Sequence, residues 1–528
     1  MRIKPVSRYT RLIQEISSED VLKGFLGFGL FPEKIPNFLS SKSFFDWYIK
    51  KDRPDFERNG KDYIRYESMR DINIPRLMAI PNPFAYANLC KELSNNWTKI
   101  QKHFEVNTNI QNHKVSRIHI RKLKKSDCLF EMNYKNGDLD GYPEQDIIIG
   151  KRYCVEADIS NCFPSIYSHS IPWALIGKQN AKNNIDENNK WVDKLDEKLR
   201  NIKHKETNGI LIGPHTSNLI SEIILVVIDN ELWKKGYRYI RNIDDYKCYV
   251  SSFEEAEKFL LDLSLELKKF ELTLNNKKTK ISQLPKSSVS EWVNKLNNFH
   301  IGDTETKDKK VIFKLKKLKS FLDLATELML QENTSAILNY AFKVIASKHL
   351  GEKALKYYTN QTHHLLLLYP YLARIMEESV FTPFNLSDKR IGRIANDLYQ
   401  IGISKRFYEA CSYSIYWALK FNLVLDKKLY KDALESNDSI FMTLTFLYAV
   451  EHKEKEEVKR FKERAKELKK TDFDRHWLFV YEILTKSQLT GDFKRIKNEN
   501  ISFIKIENLP KPKYTPRVNF KLEPISPN

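Results

Sequence analysis

The sequence has no long apolar run. Its most apolar stretch, LLLLYPYLARIM from Leu365, is too short to cross a bilayer and carries an arginine. The N-terminus, MRIKPVSRYTRLIQEISSED, lacks the apolar centre of a secretory signal. The six cysteines (Cys90, Cys128, Cys154, Cys162, Cys248 and Cys411) are scattered and form no Cys-x-x-Cys pair. That excludes a zinc ribbon, gives no support to a disulfide framework, and suits a reducing compartment. Together these absences predict a cytoplasmic chain with no membrane partner. Glycine is scarce and uneven: of 16 residues, 11 lie at or before Gly236 and five at or after Gly302. The first part therefore has the turns of a mixed α/β region, whereas the second reads as continuously helical.

What is present is length, charge and periodicity. A chain of 528 residues, 41% hydrophobic, is too long for one ordinary core and implies two or three domains. The 88 Lys and Arg against 68 Asp and Glu give +20. Such a surplus favours a polyanionic partner, because neutralised phosphates release condensed counterions. Lysine-rich codon usage would give the same surplus, so charge alone does not decide. A polar, lysine-rich stretch around 285–312 is the best boundary. Beyond it, LKSFLDLATELMLQ, ILNYAFKVIASKHL and FMTLTFLYAV carry apolar residues at helical spacing and predict successive antiparallel helices, a HEAT-like stack without a clean repeat. Residues 451–470 read as a charged amphipathic helix with a solvated outer face, and the tail from Pro510 as extended. The expected division is an N-terminal part at 1–150, a second part at 151–285, a linker at 286–311, and helical repeats with the tail at 312–528.

Three carboxylates stand out. YCVEADISNCFPSIY (153–167) reads as a buried strand ending in Asp158. A carboxylate there is costly unless paired or bound to a cation, although it could also cap the following helix. YRYI and YKCYV flank RNIDD and predict a β-hairpin with Asp244 and Asp245 at its tip, a place where turn chemistry alone also favours aspartate. Between these segments, NGILIGPHTSNLISEIILVVIDNELW (208–233) combines turn formers with a helix for which Thr216 or Ser217 suits the N-cap. After the hairpin, residues 256–281 give an amphipathic helix, a short strand and a lysine pair.

This order resembles the palm of reverse transcriptases over roughly residues 150–285. The middle element, Asn208-Gly209-Ile-Leu-Ile-Gly213-Pro214-His-Thr-Ser-Asn218, stands where that family commonly has Gln-Gly-x-x-x-Ser-Pro-x-x-x-Asn. Asn242 replaces the usual tyrosine before the aspartate pair, and LTLNNKKTKI matches the fourth motif. IGPHTSNLISE, LFPEKIPNFLSSKSFF (30–45) and NIPRLMAIPNPFAYANL (72–88) are similar to bacterial abortive-infection and defence-associated members, the AbiK-like group. The resemblance implies an α+β right-hand palm and fingers followed by an all-α helical array in place of a thumb.

Three converging acids cannot all stay ionised without cations, so two Mg²⁺ ions about 3.5–4 Å apart, or Mn²⁺ in their place, are expected. Asp158 and Asp244 are the expected ligands, with the Ile159 carbonyl as a further oxygen and Asp245 adjoining. The resemblance also implies that Phe163 lies against the incoming sugar and excludes a 2′-hydroxyl, favouring dNTPs; an ordinary core aromatic is the alternative. Asn208, one methylene shorter than the family glutamine, and Gly209 would lie by the nascent pair. Lys278 would assist pyrophosphate departure or be a solvated lysine. Triphosphate contacts would come from Arg76, or from Arg117, Arg121 and Lys122. Members of the resembled group start DNA on a protein hydroxyl, some copying a small noncoding RNA and others no template. Among 26 tyrosines, Tyr9 and Tyr514, near the termini, are the two priming candidates. An RNA-copying RNA polymerase and a non-catalytic nucleic-acid-binding scaffold are the competing readings. Phe163 argues against the first and the three intact aspartates against the second. No Arg-x4-His pattern occurs in 312–528, so the helical half reads as a surface for nucleic acid and homo-oligomerisation rather than an RNase.

Overall fold

The structure, a computed structural model, describes residues 8–70, 74–109, 111, 122, 128–129, 143–183, 187–286, 291–299, 312–334 and 336–505. Tyr514, Arg117 and Arg121 lie outside the described residues. The fold is mixed α+β with a helical C-terminal region.

A first antiparallel hairpin joins β1 (Tyr63–Ser68) to β2 (Arg76–Pro81). A four-stranded sheet is antiparallel throughout, in the order β4-β5-β3-β6: β3 is Tyr153–Asp158, β4 Tyr239–Asn242, β5 Asp245–Val250 and β6 Lys280–Gln283. Tyr246, Cys248 and Val250 alternate inward on β5 as a half-buried strand requires. Helix Phe253–Lys268 covers this sheet with Ala256, Phe259, Leu263 and Leu267. Its start is set by Ser252, whose hydroxyl accepts from the Glu255 amide, and by acidic residues in the first turn. Helix Thr216–Lys234 is apolar on nearly every side and is buried accordingly. Its expected hydroxyl cap is not formed; the helix begins at Thr216, after His215, and Thr216 and Ser217 are buried within its first turn.

From Leu315 to Asn498 the described chain is a succession of helices, with sequence neighbours packed on one another, broken only by the short strand His349–Leu350, which pairs in parallel with Ile312–Phe313. Ser439–Glu451 is its centre, buried from Ser439 to Ala449, whereas Lys455–Thr471 buries only Phe461, Ala465 and Leu468 and exposes its charges. Within the stretch expected to be a linker, Glu291–Asn297 is helical and packs on Leu315–Glu332, with Trp292 edge-on to Tyr340. The chain then returns to its beginning. Leu39 and Ile504 bridge, the Ser40 amide donates to the Phe503 carbonyl at 2.8 Å, and Lys505 N donates to Phe38 O at 2.7 Å. Phe503 inserts among Phe31, Phe44, Trp477 and Tyr481. One continuous hydrophobic core therefore runs from Tyr9 to Ile504.

Candidate active site

β3 and β5 are registered so that Asp158 lies directly across from Asp245. On the other side Asn242 pairs with Asp245, closing a two-residue turn of Ile243 and Asp244. The two aspartates are thus not both at the tip, as expected from sequence: Asp244 is in the turn and Asp245 opens β5. The turn places Ile243 at φ +55°, a conformation that costs a β-branched residue about 1–3 kcal/mol. The Ile159 amide donates to the Asp244 carbonyl at 3.1 Å, tying the turn to the end of β3. As a result one oxygen from each of Asp158, Asp244 and Asp245 lies within 4.8 Å of the others. Asp158 is buried, Asp244 half-buried and Asp245 the most exposed of the three, its carboxyl partly shielded from water.

The charges are poorly compensated. Lys278 Nζ lies 3.1 Å from Asp158 Oδ2, and Asn275 Nδ2 donates to the same oxygen at 3.0 Å. Loss of water and the neighbouring Asp158 push the Asp244 carboxyl upward, against the fields of Lys278 and Arg76. Loss of water, a hydrogen bond shared with Asp158 and the charge of Asp244 push Asp245 up to about 7. A group of hard oxygen donors in which Asp244 and Asp245 are pushed toward protonation and Asp158 already draws an ammonium fits a divalent cation. Lys278 is largely exposed and free to swing aside. Ile159 is buried beside this group, between the Asp244 turn and Leu274.

The expected nucleotide-side residues fall into two places. The Ile210 amide donates to the Phe163 carbonyl and the Gly209 amide to the Ile166 carbonyl, both at 2.9 Å, and Tyr167 bridges Asn208. Phe163, half-buried against the core, thereby adjoins exposed Asn208 and buried Gly209. Gly209 has φ +78°, and a Cβ there would meet the Pro164 carbonyl at 2.6 Å, so only glycine fits. Lys203 caps this loop through the Asn208 and Gly209 carbonyls. Arg76 is exposed at the start of β2, within electrostatic reach of Asp244. Lys122 instead pairs with Asp20 at 3.1 Å.

Two further results were not legible. Lys34, from the N-terminal loop, is anchored where Tyr413 OH donates to its carbonyl at 3.3 Å; loss of water and neighbouring Arg374 and Arg76 hold its ammonium down at about 8. Tyr9 is not a mobile terminal phenol. It is buried in helix Arg8–Gln14, and its OH donates to buried Glu222 at 2.6 Å. Burial beside that carboxylate drives its pKa well above the ordinary phenol value, and the hydroxyl faces the core rather than solvent, unlike the mobile phenol expected from its place near the N-terminus.

Residues 87–319 match the family described as reverse transcriptase (RNA-dependent DNA polymerase). This stretch, a little under half of the chain, is therefore similar to a reverse-transcriptase domain. No curated protein matches the chain. Among solved structures, similar chains include apo telomerase of Candida tropicalis truncated from its C-terminal domain, at 14% identity over 46% of this chain and 55% of that one, TM-score 0.28. Telomerase of the same organism with a fragment of telomeric RNA gives 13% identity over 68% of this chain and 64% of that one, TM-score 0.30. Its apo form gives 13% over 75% and 77%, TM-score 0.33. The chain therefore spans less than two thirds of the length of the first two, and at these scores the likeness carries no functional argument. No helix among the described residues is long and apolar enough to cross a membrane.

Proposed function

We propose that this protein joins deoxynucleotides by metal-dependent nucleotidyl transfer. The observation that carries the reading is the meeting of Asp158 at the end of β3, Asp244 in the β4–β5 turn and Asp245 at the start of β5, with Lys278 at the edge. Asp158 and Asp244 would hold the cations, Asp245 would complete the negative charge, and the Ile159 carbonyl would add an oxygen. Bound there, two Mg²⁺ or Mn²⁺ ions would activate the attacking hydroxyl and stabilise the leaving pyrophosphate. Lys278 would move from Asp158 to the departing phosphate, and Arg76 would face the triphosphate. Phe163, held against the Asn208-Gly209 loop, would exclude a 2′-hydroxyl. That contact would favour dNTPs over NTPs and disfavours an RNA-copying RNA polymerase.

The motif resemblance supports finer assignments. We place the protein in abortive-infection defence against phage, in the cytoplasm, as a homo-oligomer whose helical region lies along nucleic acid. Synthesis is primed on the protein, with Tyr514 the preferred candidate, and copies a small noncoding RNA or no template. The division into fingers, palm, linker and helical region at 150, 285 and 311 is retained as part of this proposal.

The test is incorporation of labelled dNTPs and NTPs by the purified protein, with its co-purified nucleic acid sequenced. DNA product whose synthesis admits ribonucleotides only after Phe163→Ala supports the reading. Equal use of both by the wild type overturns the sugar assignment. A discrete co-purified RNA selects templated synthesis, and DNA linked to a tyrosine other than Tyr514 rejects that residue.

A further inference from the structure

Beneath the carboxylates lies a second charge cluster with no access to water. Arg241, two residues before Ile243, is fully buried together with Glu222 and Asp229 of helix Thr216–Lys234. Its Nε donates to both oxygens of Asp229 at 3.0 and 3.1 Å, and its Nη2 donates to Asp229 Oδ2 at 2.6 Å and to Glu222 Oε2 at 2.9 Å. Tyr239 OH donates to Asp229 Oδ1, and Tyr9 OH to Glu222 Oε1, each at 2.6 Å. The remaining nitrogen, Nη1, donates to the carbonyl of Ile243 at 2.7 Å.

Burying three ions costs several kcal/mol each before pairing, and apolar side chains would fill the same space without that cost. Packing does not account for the contact to Ile243. That carbonyl belongs to the left-handed residue of the turn, and the next carbonyl, of Asp244, is held from the other side by the Ile159 amide. The Cα that carries the Asp244 carboxylate is therefore clamped between two fixed points. One leads through Arg241 and Glu222 to Tyr9, 213 residues earlier than Glu222 in the chain.

We propose that Arg241 is a positioning residue for Asp244, and that the N-terminal helix Arg8–Gln14, through Tyr9 and Glu222, is a working part of the cation site. The consequence for activity rests on the polymerase reading above; the clamp itself does not. Without the guanidinium, the strained turn relaxes and the Asp244 carboxylate leaves the geometry shared with Asp158. Without the Tyr9 hydroxyl, one buried oxygen of Glu222 loses its donor and its hold on Arg241 changes.

The test is Mn²⁺ binding followed by electron paramagnetic resonance, which needs no turnover, alongside thermal unfolding. Tyr9→Phe keeps the ring that packs edge-on against Phe104 and loses only the hydroxyl. Arg241→Lys keeps the charge but cannot span both carboxylates and the Ile243 carbonyl. The proposal expects Mn²⁺ binding to weaken about tenfold in Tyr9→Phe, the scale of one charge-assisted hydrogen bond, and at least as much in Arg241→Lys. Wild-type affinity in Tyr9→Phe, with only the melting temperature lowered, overturns it and leaves the cluster a structural one; this holds even if Arg241→Lys does not fold. A wild type that binds Mn²⁺ but incorporates no nucleotide removes the polymerase reading and leaves the clamp. A wild type that binds no Mn²⁺ removes both.

Discussion

Asp158 and Asp245 face one another across β3 and β5, two acids in a cross-strand pair where like charges ordinarily destabilise a sheet. Lys278 offsets that repulsion at Asp158 alone, and a bound divalent cation would offset it at both carboxylates. In metal-free buffer, Asp244→Asn should therefore unfold at an equal or higher temperature than the wild type, because one repelling charge is gone. Added Mg²⁺ should raise the melting temperature of the wild type more than that of the variant. A metal-free variant several degrees less stable than the wild type would contradict this electrostatic account.

Gly209→Ala should damage the loop that carries Asn208. The added methyl meets the Pro164 carbonyl at 2.6 Å and forces a left-handed residue, costing about 1–3 kcal/mol. Chemical denaturation measures the loss, and nucleotide incorporation should fall with it while Mn²⁺ binding at the aspartates stays intact.

The helical region also holds the first hairpin. Buried Glu409 accepts from the Met69 amide at 2.6 Å and from Arg374 Nη2 at 3.0 and 3.2 Å, while the same Nη2 donates to Ser68 Oγ and to the Met69 carbonyl. Glu409→Ala leaves the half-buried Arg374 guanidinium without its counter-charge and the Met69 amide without its acceptor, and should cost about 2–3 kcal/mol. Replacing both partners, as Arg374→Met with Glu409→Leu, should recover much of that loss. Faster hydrogen exchange in residues 63–69 would locate the effect.

His215 supplies a pH signature. It is buried at the start of helix Thr216–Lys234, its Nε2 is 3.7 Å from Glu33 Oε1, and burial holds its pKa down at about 4. The unfolded chain takes up this proton near the ordinary value of about 6.5. Its contribution to stability is thus complete above about 6.5 and is lost as pH falls toward 4, by up to about 3 kcal/mol. Asp438, pushed up to about 6 by burial, acts in the opposite sense but is common to wild type and variant. The drop in melting temperature from pH 7.5 to 5 should be smaller in His215→Gln; equal drops would reject the assignment.

The parts of this site that were legible in sequence are those set by local pattern. The strand ending in Asp158, the hairpin around Asp244 and the amphipathic helix after it follow from alternation, turn residues and helical periodicity, although the helix begins at Phe253, three residues before its expected start. The uneven glycines likewise mark the change to helices. What was not legible depends on contacts between distant residues. Adjacency made Asp244 and Asp245 look equivalent, yet pairing of Asn242 with Asp245 leaves only one in the turn. Tyr9 looked free because it is near an end, and its partner is in the middle of the chain. Arg241 reads as one more strand residue until Glu222 and Asp229 surround it. Nothing local announces that Phe503 closes the core over Phe44.

The central claim is tested most directly by incubating the purified protein with labelled dNTPs and Mg²⁺ or Mn²⁺, beside Asp244→Asn, and counting label joined to polymer. The account predicts cation-dependent incorporation by the wild type and a loss of about a thousandfold or more in the variant, the scale expected when two-metal chemistry loses a ligand. Incorporation at wild-type levels by a folded Asp244→Asn protein would contradict it.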